Sequence, residues 1–147
     1  MENIKILPIR ASDTHPLRQK ILRPHQPIQE MEFPGDNDPE TFHYGLFIEN
    51  ILMGIASVYK ENTPGNEIIN SYRLRGMAVE EKLRGKGFGK ILVNKIFEEL
   101  KEKDAEYLWC NARTNASGFY ETLGFKIEGN EFDIPEIGPH YLMIKKV

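Results

Sequence analysis

The sequence holds one cysteine, Cys110, and one tryptophan, Trp109. A lone thiol cannot close a disulfide within the chain and excludes a cysteine-rich zinc site. The four histidines, His15, His25, His43 and His140, show none of the helical ligand spacings that metals favour, so no metal is expected. No apolar run approaches the roughly 20 residues of a membrane helix. The opening Met1-Glu2-Asn3-Ile4-Lys5 lacks the charged-then-apolar layout of a secretion signal, which makes a cytoplasmic location and no membrane partner the expectation. Basic residues are not in excess either. Nineteen Lys and Arg against 22 Asp and Glu leave a net charge of −3, which gives no global support for a nucleic-acid partner.

What is present suits a globular protein: 147 residues, 40% hydrophobic and 28% charged, enough to bury one core and read as a single domain over 1–147. The charge is unevenly placed. Glu30, Glu32, Asp36, Asp38 and Glu40 crowd one stretch without a base, whereas Lys82, Arg84, Lys86 and Lys90 crowd another.

Periodicity gives a mixed order of strands and helices. Ile4 and Ile6 alternate with polar residues ahead of Pro8 as a short edge strand, and Asp13 or Thr14 can cap a helix that Pro24 stops near Leu22. Four prolines make 24–41 an ordered but irregular loop. Alternation from Phe42 to Ile48, a turn at Glu49-Asn50 and a strand over 51–59 form an antiparallel hairpin, followed by a turn over 61–67. In 71–79 the large apolar groups fall on even positions at Tyr72 and Leu74, then on odd ones at Met77 and Val79. One extra residue reverses the faces of a strand, so a β-bulge is expected near Gly76. Phe88, Ile91, Leu92, Ile96 and Leu100 mark a helix, and 107–110 a buried strand, which implies a parallel pair. Ala116, Phe119, Tyr120 and Leu123 mark another helix ended by Gly124, with strands at 125–128 and 141–145 to close the sheet.

The run Arg84-Gly85-Lys86-Gly87-Phe88-Gly89-Lys90 carries the clearest chemistry. Glycine lets backbone approach a ligand, the first N–H groups of a helix lack internal partners, and the helix dipole favours an anion there. It is not a Walker A loop, because Ile91 follows Gly89-Lys90, and it is not a dinucleotide fingerprint, because Lys90 replaces the third glycine. The spacing that fits is Arg-x-x-Gly-x-Gly behind a bulged strand.

On these residues, 75–92 (RGMAVEEKLRGKGFGKIL) resembles the acetyl-CoA motif of the GNAT family of N-acetyltransferases, and 109–125 (WCNARTNASGFYETLGF) resembles that family's next strand and helix. The short stretches Leu17-Arg18 and Ile137-Gly138-Pro139-His140 are similar to ElaA-like bacterial members. The resemblance implies an α/β (α+β) domain: a mostly antiparallel mixed sheet, a central parallel pair splayed around acyl-CoA, and helices on both faces. It implies cofactor contacts from the backbone of Met77, Ala78 and Val79 and from Arg84, Gly85, Lys86, Gly87, Phe88, Gly89 and Lys90.

The implied reaction is transfer of acetyl from acetyl-CoA, as cosubstrate, to the amine of a small molecule or peptide by direct attack. Tyr120 matches the family tyrosine proposed as general acid. Arg113 stands where many members have asparagine, leaving Asn111 and Asn115 as substitutes, Asn115 being equally suited to cap a helix. A neutral amine must be generated, and His140, Glu32, Asp36 and His43 are the candidates to help. Cys110 reads as a structural thiol rather than a ping-pong nucleophile. The acidic loop 30–40, which the resemblance puts beside the acceptor, predicts a cationic acceptor. A non-catalytic acyl-CoA-binding module, transfer to a hydroxyl, and a homodimer are left open.

Overall fold

The computed structural model describes residues 3–65 and 70–147, so Met1-Glu2 and the end of the turn expected over 61–67 lie outside the described residues. The strands are β1 (Ile4–Ile9), β2 (Phe42–Ile48), β3 (Ile51–Lys60), β4 (Ser71–Val79), β5 (Tyr107–Arg113), β6 (Lys126–Ile134) and β7 (Gly138–Lys146). They form one sheet in the order β1-β2-β3-β4-β5-β7-β6, antiparallel everywhere except between β4 and β5. The helices are α1 (His15–Leu17), which continues into a π-type turn over Arg18–Leu22, α2 (Phe88–Glu102) and α3 (Ser117–Thr122).

Local chemistry explains most boundaries. Glu49 and Asn50 both take left-handed φ, 51° and 66°, which matches the tight turn that suits the twist of the β2–β3 hairpin. Pro8 lies inside β1, where an edge strand tolerates the missing N–H. Gly124 at φ 96° reverses the chain after α3, and the Phe125 N–H returns to the Tyr120 carbonyl.

α2 and α3 share one face of the sheet. Leu92, Val93, Ile96 and Leu100 of α2 are buried against Tyr72 and Leu74 of β4, Val58 of β3 and Leu108 of β5, with Phe119 of α3 and Leu123 just past its end packed at the margin. On the other face Leu17 of α1 meets Ile55 and Ala78.

The bulge expected in β4 is present. Ile55 pairs with Ala78 and Ser57 with Arg75, so β3 advances two residues while β4 advances three, and Gly76 carries φ 64°. The faces switch as the sequence phase requires: Tyr72 and Leu74 point to α2 before the bulge, and Met77 does so after it. β6 and β7 run longer than their apolar patterns suggested. Residues 129–133 of β6 are all exposed, so no buried face wrote alternation into that stretch.

Candidate active site

β4 and β5 are paired only over Ser71–Tyr107, Tyr72–Leu108 and Arg73–Trp109. Beyond Arg73 the β5-facing edge of β4 has no strand beside it, and a cleft of about 690 Å³ opens between the two strands. Its walls come from Arg73 to Val79 on one side and Cys110 to Arg113 on the other. Tyr120, His140, Asn115 and Arg84 line it from α3, β7 and two loops, and Phe33, Leu22 and Arg23 close the α1 side.

The glycine loop sits where β4 leads into α2. Gly85 and Gly87 have φ of 76° and 87°, and a Cβ on either would meet no atom within 4 Å. Gly87 is the N-cap of α2 and offers no side-chain cap, and the first turn holds no acid. The leading N–H groups of a 15-residue helix are therefore open to an oxyanion, flanked by the exposed bases Arg84, Lys86 and Lys90. These donors fit a pyrophosphate. Two motif positions are also fixed by packing: the Phe88 side chain is buried with Leu46, Met53 and Leu83, and a Cβ on Gly89 would come within 3.1 Å of Phe119 and 3.2 Å of Met77.

The Tyr120 ring is held edge-on between Phe119 and Phe125, and its hydroxyl points to the Met77 sulfur at 3.7 Å. Burial, and secondarily the Cys110 thiol, raise its pKa, so it remains a proton donor across the physiological range. Burial likewise pushes the Cys110 thiol up to about 12. A thiol so held supplies almost no thiolate near pH 7.

The candidates for amine activation separate cleanly. His140 lines the cleft, gives its Nδ1–H to the Gly138 carbonyl at 2.7 Å and stacks on Phe132. A carbonyl can only accept, so in the neutral imidazole the lone pair is on Nε2. His43 has both nitrogens committed, Nε2 donating to the Asp36 carbonyl at 3.0 Å and Nδ1 accepting from Ser57 at 2.6 Å. Burial lowers its pKa against the opposing pull of Asp36. Asp36 is buried in an ion pair with Arg18 and cannot reach a substrate. Glu32 is exposed, bound to the Asn37 amide at 2.9 Å, and faces a separate shallow depression. Neither carboxylate lines the cleft. Asn111 and Asn115 do line it, and Asn115 caps no helix, since Ala116 is the N-cap of α3.

The acidic loop 30–40, from which a cationic acceptor is expected, contributes no carboxylate to the cleft. The lining of the cleft includes no Asp or Glu among the described residues but does include Arg23, Arg73, Arg75, Arg84 and Arg113. The acidic loop turned inward at Asp36 and outward elsewhere because a buried guanidinium needed a partner. The alternation Arg73, Arg75 on one face of β4 was the sequence signal for this basic wall.

Comparison with known proteins agrees with this geometry. A profile of the acetyltransferase (GNAT) domain matches residues 14–137. The chain is 38% identical over 142 residues to the uncharacterized N-acetyltransferase YitI of Bacillus subtilis (strain 168), covering 97% of this chain and 95% of that one. Its fold is similar to that of an aminoglycoside 6'-N-acetyltransferase complexed with coenzyme A, with TM-score 0.77, 18% identity and coverage of 97% and 96%. It is also similar in fold to Escherichia coli ElaA, with TM-score 0.76, 19% identity and 99% of each chain covered.

Proposed function

The chain belongs to the GNAT acetyltransferase family, and we propose that it passes an acetyl group from acetyl-CoA directly to an amine bound in the same cleft. The observation that carries this reading is the divergence of β4 from β5 beyond Arg73 and Trp109, which leaves a strand edge and an open helix N-terminus along one groove. The backbone of Met77 to Val79 would hold the pantetheine arm, and the N–H groups of Gly87 to Lys90 the pyrophosphate. The thioester supplies the activated acyl group. The protein's part is to align it, exclude water and manage two protons.

In the reaction the amine nitrogen forms the new bond to the acyl carbon while the carbon–sulfur bond breaks. The amine loses one proton and the departing thiolate gains one. Tyr120 is suited to give the second, because burial keeps its hydroxyl protonated and the residue lines the cleft between β4 and β5. His140 is suited to take the first through Nε2, directly or through water. The high pKa of Cys110 argues for direct attack over an acyl-cysteine route.

A thiol-release screen over amino acids, amino-acid amides, polyamines, aminoglycosides and peptides tests the reading. Stoichiometric free CoA and an N-acetyl product are expected with at least one amine. Acetyl-CoA binding with no release on any of them would leave a binding module, and a hydroxylamine-labile product would mean transfer to a hydroxyl.

A further inference from the structure

Three guanidinium groups gather on one phenyl ring. The Cζ atoms of Arg18, Arg75 and Arg23 stand 4.1, 4.4 and 5.1 Å from the centroid of Phe33. Arg18 is neutralised by Asp36, and nearby Arg73 by Glu61 at 3.3 Å. Arg23 and Arg75 have no acidic partner among the described residues, and Arg113 has only the Leu22 carbonyl, at 3.2 Å. Burial first, then the charges of neighbouring arginines, lowers the pKa of both Arg23 and Arg75, the mark of positive charge crowded without compensation. Half-buried cations are retained at such density when something negative joins them.

We propose that Arg23, Arg75 and Arg113 bind an anionic group, a carboxylate or a phosphate, on the acceptor amine. The inference rests on the transferase reading and names its substrate class. Position supports it over a role toward the cofactor. Arg75 precedes the bulge at Gly76 and meets Phe33 on the α1 face of the sheet, whereas the open N-terminus of α2 lies on the opposite face. Arg113 is the cross-strand partner of His140, so the anion site borders the imidazole suited to accept the amine's proton. An acceptor anchored there by its anion presents its amine to His140 and the acyl carbon together. Planar guanidinium groups match either oxyanion in paired hydrogen bonds.

The test uses matched acceptors with acetyl-CoA: free amino acids against their amides, and phosphoethanolamine against ethanolamine. Calorimetry of the same compounds on CoA-saturated protein reads binding without turnover. Anionic members should bind and react better by about tenfold or more, carried by KM, and Arg23→Gln and Arg75→Gln should each erase most of that ratio. Arg75→Lys, which keeps the charge, should restore part of it. Amides that match the free acids, or a preference that survives both glutamine variants, would overturn the proposal. So would loss of acetyl-CoA affinity in Arg23→Gln with acceptor preference intact, since the site would then serve the cofactor. A succinyl-CoA arm separates the remaining source: an arginine-dependent preference for succinyl over acetyl, without acceptor discrimination, would place the anion on the acyl group. Protein that binds carboxylate amines yet releases no thiol would refute the transferase reading and leave the anion site standing.

Discussion

Arg18 and Asp36 form a completely buried bidentate ion pair, with Nη1 2.6 Å from Oδ2 and Nη2 3.0 Å from Oδ1. Their surroundings satisfy nearly every remaining site. Arg18 also donates to the Met31 carbonyl, Ser57 and Tyr59, and Asp36 accepts from the Phe33 N–H and the Tyr59 hydroxyl. The pair ties the irregular 24–41 loop to α1 and to β3. It thereby fixes Phe33, the ring on which the cleft arginines rest.

Removing one partner should cost far more than removing both. Asp36→Asn leaves a buried guanidinium with no counter-charge, and about 3–5 kcal/mol of stability should be lost, whereas Arg18→Met with Asp36→Leu should lose clearly less. Urea unfolding of the two singles and the double checks this. Equal losses in all three would mean that the pair does not act as a unit.

Stability should also fall on acidification in two stages. Burial alone would raise the Asp36 carboxyl, but hydrogen bonds from Arg18, Tyr59 and the Phe33 N–H and the Arg18 charge outweigh it, and the pKa is lowered from 3.8. The pKa of His43 is lowered from 6.5, chiefly by burial. Both depressed groups bind more protons unfolded than folded, so each contributes stability above its unfolded value that is lost as pH falls toward the folded one. Unfolding free energy should be level from pH 8 to 7, decline below about 6.5 and decline again below about 4. His43→Gln should flatten the first decline and leave the second. A wild-type slope unchanged by that variant would assign the first stage elsewhere.

The sheet, the bulge and the helices were legible because each leaves a periodic trace: Tyr72 and Leu74 against Met77 and Val79 located the bulge to the residue. The cofactor loop was legible because Gly85 and Gly87 need left-handed φ that side chains resist. The orientation of the acidic loop is not legible in the sequence for a physical reason. Charge counted along a chain does not say which way a side chain faces, and the 24–41 loop has no period to orient it. Asp36 is buried because Arg18 lies opposite, 18 residues earlier, a pairing that only the fold defines.

Gly87→Ala separates cofactor binding from folding. The left-handed φ makes any side chain cost about 1–2 kcal/mol there, yet the Cβ would enter open space, so the variant should fold. The same Cβ would stand at the N-terminus of α2 where a phosphate approaches, and acetyl-CoA affinity should drop about tenfold or more. Unchanged affinity by calorimetry would move the phosphates elsewhere. Gly89→Ala should behave differently, because its Cβ presses on Phe119 and Met77 and would shift the aromatic wall that holds Tyr120.

Tyr120→Phe probes proton delivery alone. The ring remains between Phe119 and Phe125, and the lost hydroxyl has no protein partner but the Met77 sulfur, so stability should change by under about 1 kcal/mol. A positioned general acid is worth about 10²–10⁴-fold, and a thiol of pKa near 8.5 leaves tolerably well unaided, so kcat should fall about a hundredfold, the lower end. The acetyl-CoA dissociation constant should stay within about twofold, because the phosphate donors lie on α2. The loss should shrink with thioesters of more acidic thiols, whose leaving groups need no proton. An unchanged kcat where single-turnover kinetics show chemistry to be rate-limiting, or a deficit indifferent to the leaving thiol, would return Tyr120 to a packing role.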